Sequence, residues 1–261
     1  LRLHHFSLAN RICAAAATAL SVYHCHTYAR KYIWFSLELP PCCDIMYAMK
    51  TQSRYQKSLR DPRTGLLKPG SNNKKLGFRI TRGKWSGKRL YSLTLEERTT
   101  CPESCHHWDD CYGDNMPFAH RYKIQNIDLF LHREIDKLME KHKDGIVIRL
   151  HVLGDFFSVD YVKFWEEMLL EYPKLALFGY TAREEDSIIG ERIWLINNRF
   201  SERCVIRFSR NKEYACDHLF AADESFEGEH FVCPEQTGKV KSCADCALCW
   251  TTQKTVKFLS H

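Results

Sequence analysis

The chain contains no run of the roughly 18–20 apolar residues that crossing a membrane as a helix requires. It also lacks a glycine-rich phosphate loop, a serine nucleophile elbow and an HExxH helix. Those absences remove the common nucleotide-binding, serine-hydrolase and metallopeptidase classes. No stretch has the composition of a disordered chain: at 44% hydrophobic and 13% aromatic residues there is ample material for a large core. Position 1 is not methionine, and the first methionines are Met46 and Met49. The run from Cys13 to Tyr23 imitates a signal peptide, but Asn10 and Arg11 break the apolar stretch before it. Translation is therefore expected to begin at Met46 or Met49, with residues 1–48 a leader that is not native structure. The expected setting is cytoplasmic, with no membrane partner.

What the chain has in quantity is cysteine, 13 in 261 residues. Disulfides compensate for small cores in secreted domains, and this chain has no such shortage. Seven of the thiols instead fall into two close-spaced sets, the pattern of metal ligation in a reducing compartment. The first set is Cys101, Cys105 and Cys111, in a loop directly after the strand-like run Arg89–Leu95. Three thiolates leave one position open on an iron–sulfur cluster or a zinc ion, which is what a reactive metal centre needs. The alternative is a structural zinc loop completed by His106, His107 or a distant cysteine. The second set is Cys233, followed by proline, with Cys243, Cys246 and Cys249 at successive three-residue spacing. That run resembles the ligand core of bacterial ferredoxins, and a zinc knuckle is the alternative. Spacing alone leaves open whether the two sets share a centre. Cys204 reads as core filling.

Charge is unevenly spread. Residues 50–98 hold 14 Lys or Arg against three Asp or Glu, which points to an acidic partner such as a nucleotide or nucleic acid. Turn-forming residues are frequent over 49–87, so this basic segment reads as a mobile arm, with short strands at Lys74–Trp85 and Arg89–Leu95.

The segment 88–215 alternates in βαβαβ fashion. The spacing of Ile124, Ile127, Leu131, Ile135 and Leu138 predicts a helix from Pro117 to Lys143. A strand at Ile146–Val152 and a helix capped by Ser158 or Asp160 follow. Strands at Leu175–Tyr180 and Arg203–Phe208 flank a helix over 186–198. Short connections of this kind predict parallel strands with right-handed crossovers. About five strands are expected, too few for a closed barrel. The expected fold is α/β: a partial (β/α) barrel-like parallel sheet followed by a cysteine-rich metal-binding tail over 216–261.

In a parallel sheet the carboxyl ends of the strands share one edge, where ligands bind. His151, Asp155, Tyr180, Arg183, Ser209 and Arg210 are accordingly expected to converge near the cysteine loop. His151 and Asp155 are spaced to orient each other as base and carboxylate. Arg183 and Arg210 either hold a phosphate or carboxylate, or neutralise Glu184, Glu185 or Asp186. Tyr180 and Ser209 are candidate cofactor contacts.

Three places resemble the gene product 88-like proteins of phages and mobile elements. They are Cys101-x3-Cys105 with Cys111-Tyr112, then His151-x2-Gly154-Asp155-Phe156, and Cys243-x2-Cys246-x2-Cys249-Trp250 behind Cys233-Pro234. The strand end Tyr180-Thr-Ala-Arg183 lies between them, and the likeness spans roughly residues 70–255. The architecture also looks similar to radical S-adenosylmethionine enzymes, whose cysteine loop follows the first strand of a partial barrel. That likeness implies one or two [4Fe–4S] clusters and S-adenosylmethionine as co-substrate; the basic segment and the phage resemblance point to a nucleotide or nucleic-acid-related substrate. The loop departs from that superfamily in its Cys-x3-Cys-x5-Cys spacing, with Asp110 before the last cysteine, and no Gly-Gly-Glu strand is present. A different class, a zinc-stabilised nucleic-acid-binding protein without catalysis, also fits the thiols and the basic segment.

Overall fold

The computed structural model describes residues 52–210 and 219–259. The expected leader at 1–48, with its four cysteines, and Cys216 lie outside the described residues.

The first short strands, β1 (Leu59–Arg60) and β2 (Lys68–Pro69), precede β3 (Arg89–Ser92) and a one-turn helix α1 (Glu97–Thr100). Then come β4 (Arg121–Tyr122), α2 (Ile127–Lys141), β5 (Ile146–Leu150), α3 (Val159–Glu171), β6 (Ala176–Thr181), α4 (Ile188–Arg199) and β7 (Cys204–Ser209). The tail adds β8 (Phe220–Ala222), β9 (His230–Val232), the turns of helix α5 (Cys243–Cys246) and α6 (Leu248–Thr251), and β10 (Thr255–Lys257). Eight strands form one sheet in the order β2-β3-β5-β6-β7-β8-β10-β9. All neighbours in it are parallel except β2 and β3. The sheet is open, and no closed barrel forms among the described residues.

From β3 through β7 each new strand is laid beside the last in one direction. With right-handed crossovers that winding puts all connecting helices on one face. Strand alternation records the result. Ile146, Ile148, Leu150, Leu177, Cys204, Ile206 and Phe208 pack with α2, α3 and α4 in one buried cluster. Their alternates Val147, Ala176, Phe178 and Val205 face the other way and pack against Leu76, Ile80, Trp85, Ala244, Ala247, Cys249 and Trp250. Cys204 is core filling, as its place in an apolar strand implied.

Ser158 caps α3 as expected, its hydroxyl accepting from the Tyr161 N–H. Other expectations need correction. The helix read as starting at Pro117 begins at Ile127, after Asn126 in the left-handed region (φ 54°). Over the intervening residues β4 pairs with β1 instead, Leu59 opposite Arg121 and Arg60 opposite Tyr122. The guanidinium of Arg121 draws in the carbonyls of Gly113, Met116 and Ala119 and so holds this segment irregular. The basic segment does not hang free: Leu66, Leu67, Leu76, Ile80 and Trp85 are buried in the core. Lys74–Trp85 forms no strand beyond a single bridge from Arg79 to Arg89. Among the described residues there are ten strands where about five were expected, because two- and three-residue strands carry no readable periodicity.

The tail is fastened to the bare sheet face by backbone and rings. Cys243 and Ala244 N–H groups donate to the carbonyls of Lys75 and Leu76, and the Thr81 N–H donates to Ala244. Trp250 stacks on Trp85 at 5.3 Å between centroids and lies 4.6 Å from Phe178. Replacing Trp250 by Ala should cost about 3–5 kcal/mol, read as a lower urea midpoint, and should release the tail to protease before the core unfolds.

Candidate metal centre

The loop thiols are positioned by the end of β3, by α1 and by a buried network around Gly154 and Asp155. Gly154 turns at φ 83°, and a Cβ there would lie 2.6 Å from both Leu95 Cβ and Thr100 Oγ1. Only glycine tolerates both the angle and the approach. The next residue, Asp155, donates its N–H to Thr100 Oγ1 at 3.1 Å. Its carboxylate accepts from the Phe156 N–H, the Thr181 hydroxyl and the Ala182 N–H, each at 2.7 Å. Arg183 donates to the carbonyls of Phe156 and Thr100, both at 2.7 Å. Thr100 immediately precedes Cys101, so the ends of β5 and β6 are tied directly to the first thiol. Burial outweighs these hydrogen bonds and raises the Asp155 pKa to about 6.

After the thiols, the chain is held by a second buried device. Arg121 pairs with Glu97 at 2.8 Å, and both side chains are sealed from solvent. Glu97 also accepts from the Ser53 hydroxyl at 2.9 Å.

The two sets of cysteines come together separately. Cys101, Cys105 and Cys111 act electrostatically on one another, as do Cys233, Cys243, Cys246 and Cys249. Burial, ahead of these mutual repulsions, raises the pKa of Cys101, Cys105, Cys111, Cys246 and Cys249, and takes Cys243 to about 12. Thiols so placed hold their protons unless a cation displaces them, which is the condition a metal centre satisfies. Peptide N–H groups two residues on point at the sulfurs of Cys105, Cys111 and Cys246, from His107, Gly113 and Leu248. Such donors stabilise thiolates and tune the metals they bind.

The tail set has counter-charges that sequence reasoning missed. Arg207 is fully buried and donates to the carbonyls of Cys249, Phe220, Lys254 and Thr252 at 2.6–3.1 Å, with no carboxylate among the described residues bonded to it. A buried charge without an opposite charge costs several kcal/mol; the groups that favour the charge of Arg207 are Tyr180 and Cys249. An anionic thiolate centre is therefore the electrostatic complement of this guanidinium. Arg149, on β5, packs over the rings of Tyr180 (4.3 Å) and Phe178 (5.6 Å), and its Nε is buried without a hydrogen-bond partner. It acts on Cys243 and Cys249 of the tail and on Tyr112 of the loop, so it stands between the two sets. The legible signal for both was a lone arginine inside an apolar strand, in Ile146–Leu150 and Cys204–Ser209.

The expected convergence of strand ends is partial. Asp155 and Arg183 reach the cysteine loop, as structural ties. Tyr180 shares a face with Ala176 and Phe178, so its hydroxyl bonds Cys249 in the tail and not the loop. Arg210 is paired with Glu184 and Glu185, the neutralising alternative. Ser209 sits at the end of β7 opposite Ala221. His151 does not pair with Asp155: its Nε2 lies 3.1 Å from the Tyr161 hydroxyl, inside the helix-side core. Burial drops its pKa to about 3, so the ring is neutral.

That shift sets a pH dependence. In the unfolded chain the imidazole takes up a proton near its ordinary pKa, whereas the folded one does so only near pH 3. The unfolded state thus binds more protons below about pH 6.5, and stability falls as the pH is lowered. His151→Gln does not titrate, so its stability gap from wild type should narrow by about 2 kcal/mol between about pH 7 and pH 5. Urea titrations of both proteins check this; Asp155 titrates in each and cancels from the difference.

No helix among the described residues is long and apolar enough to cross a membrane. No curated protein and no solved structure matches the chain. The family model for gene product 88 matches residues 58–252, a span that takes in the cysteine loop, the Gly154–Asp155 turn and the Cys243–Cys249 run. The chain belongs to the gene product 88 family.

Proposed function

We propose that the chain is a cytoplasmic iron–sulfur protein of a phage or mobile element, with an open cluster on the loop and a closed one on the tail. The observation that carries this reading is the partition of the seven thiols into a set of three and a set of four. Cys101, Cys105 and Cys111 would hold the open cluster, and Cys233, Cys243, Cys246 and Cys249 the closed one. The run Cys243-x2-Cys246-x2-Cys249, with Cys233 before a proline, supports a cluster over zinc, because it resembles the ligand core of ferredoxins.

An open iron site supplies coordination and electron transfer to a co-substrate, for which S-adenosylmethionine is the candidate. The protein's own part is positional. Asp155, Thr181, Arg183 and Thr100 fix the loop, and Tyr180 donates a hydrogen bond to the Cys249 sulfur. Arg149 offers a cation to an anionic substrate group between the two sets. The sheet order, with strands added in one direction and helices on one face, fits a partial barrel opened flat.

A nucleotide or nucleic-acid-related substrate is supported by a cleft of about 680 Å³ between residues 54–60 and 117–120. Arg54, Lys57 and Arg60 line it with Tyr55, Phe118 and His120. The Phe118 ring is 92% exposed, and aromatic faces beside cations are how single strands are held. The same cleft favours a second reading, a zinc-stabilised nucleic-acid-binding protein without catalysis.

Anaerobic purification with iron, sulfide and zinc analysis separates the two. The expected protein is brown, with labile sulfide and about eight irons; Cys101→Ser with Cys105→Ser and Cys111→Ser should retain about half. Colourless protein with zinc would leave the binding reading. In either case Phe118→Ala should weaken binding of a fluorescent single-stranded oligonucleotide by about fivefold to a hundredfold, read by anisotropy.

A further inference from the structure

One cluster of metal-type side chains is used by neither thiol set. His106 and His107 lie between Cys105 and Cys111, and Asp223 follows the last residue of β8. One donor atom from each of the three lies within 4.8 Å of the other two. His106 Nε2 stands 4.0 Å from Asp223 Oδ2, beyond hydrogen-bond reach. The two imidazoles are 4.2 Å apart and inclined at 48°, so the rings are not stacked flat.

We propose that His106, His107 and Asp223 form a site for a divalent transition ion, separate from the cysteine centres, that clamps the cysteine loop to the end of β8. Two imidazoles and a carboxylate are the donor set that zinc and ferrous iron take while keeping positions open. Bonds of about 2.0–2.2 Å place tetrahedral ligands about 3.4 Å apart, so closure needs side-chain movements of about 1 Å. The outer contacts are already those of a ligated site. His107 Nδ1 is 3.2 Å from Asp110 Oδ1, a contact that orients the ring. Asp223 Oδ1 accepts from the Ser225 N–H at 2.8 Å and from its hydroxyl at 2.7 Å, which fixes the carboxylate. The three donors come from the cysteine loop and the opposite part of the sheet. A bound ion would therefore join the loop to a strand with which it has no covalent proximity.

The site is independent of what the thiols hold, so its test leaves them filled. Untagged protein, purified with its cysteine centres as isolated, is titrated with Co2+ and then Zn2+. Wild type should bind about one Co2+ with visible d–d bands and no thiolate-to-cobalt charge-transfer band. The pair His106→Ala and His107→Ala should lose that equivalent while iron, sulfide and protein-bound zinc stay as in wild type. Asp223→Asn, a change of a half-exposed side chain, should weaken Co2+ by about tenfold or more. Binding unchanged in both variants, or a charge-transfer band showing cobalt on the cysteines, would overturn the site. Protein isolated without iron that still binds Co2+ as wild type and loses it in the variants would count against the cluster reading alone.

Discussion

A parallel sheet wound in one direction has only one face covered by its own crossovers, and the rest of this structure follows from that constraint. The helices α2, α3 and α4 take one side of β3 to β7. The other side exposes Val147, Ala176, Phe178 and Val205, which would lie in water without a second layer. In a closed barrel that face would be turned inward on itself. Here the sheet stays open, and the segment 76–85 and the cysteine-rich tail supply the cover. The tail is thus part of the core: Trp250, between Trp85 and Phe178, carries Cys249 with it to the sheet.

That arrangement decides the electrostatics. Because the tail covers a sheet face, its thiols sit above β5, β6 and β7, where the side chains pointing outward toward the strand ends are Arg149, Tyr180 and Arg207. Four thiolates around a centre of charge +2 would carry a net −2, the charge that these two guanidiniums would balance. The cost of burying Arg207 and the cost of ionising Cys249 would offset each other if a metal displaced the thiol protons, as the proposed centre requires.

The loop thiols depend on a different device. Three strand ends meet at Thr100: Leu95 and α1 carry it, the Gly154–Asp155 turn donates to it, and Arg183 holds its carbonyl. Two of the residues grouped as a catalytic set in the sequence, Asp155 and Arg183, thus tie down Thr100, the residue before Cys101. A buried aspartate with three donors on it, and a histidine with a tyrosine and a phenylalanine around its ring, are what the interior requires of polar groups.

How much of this could be read beforehand differs by feature. Strand β5, helix α3, strand β6 and strand β7 were legible to within one or two residues. Each is long enough for its apolar period to repeat, and Ser158 marks a start. The membership of the two cysteine sets was legible from spacing, because ligands close in sequence cannot be far apart in space. The short strands of the tail were not, nor was the start of α2, which Arg121 delays by claiming the carbonyls of Gly113, Met116 and Ala119, an irregular pattern that no apolar period announces. The sequence by itself determined the α/β class, the family and the inventory of thiols, since these rest on local periodicity and fixed spacing. Only the tertiary structure decided that the sets stay separate, that Tyr180 serves the tail, and that Asp223 faces His106. Each of these depends on which strand face a residue shares with a partner more than 60 residues away, and nothing local encodes that pairing.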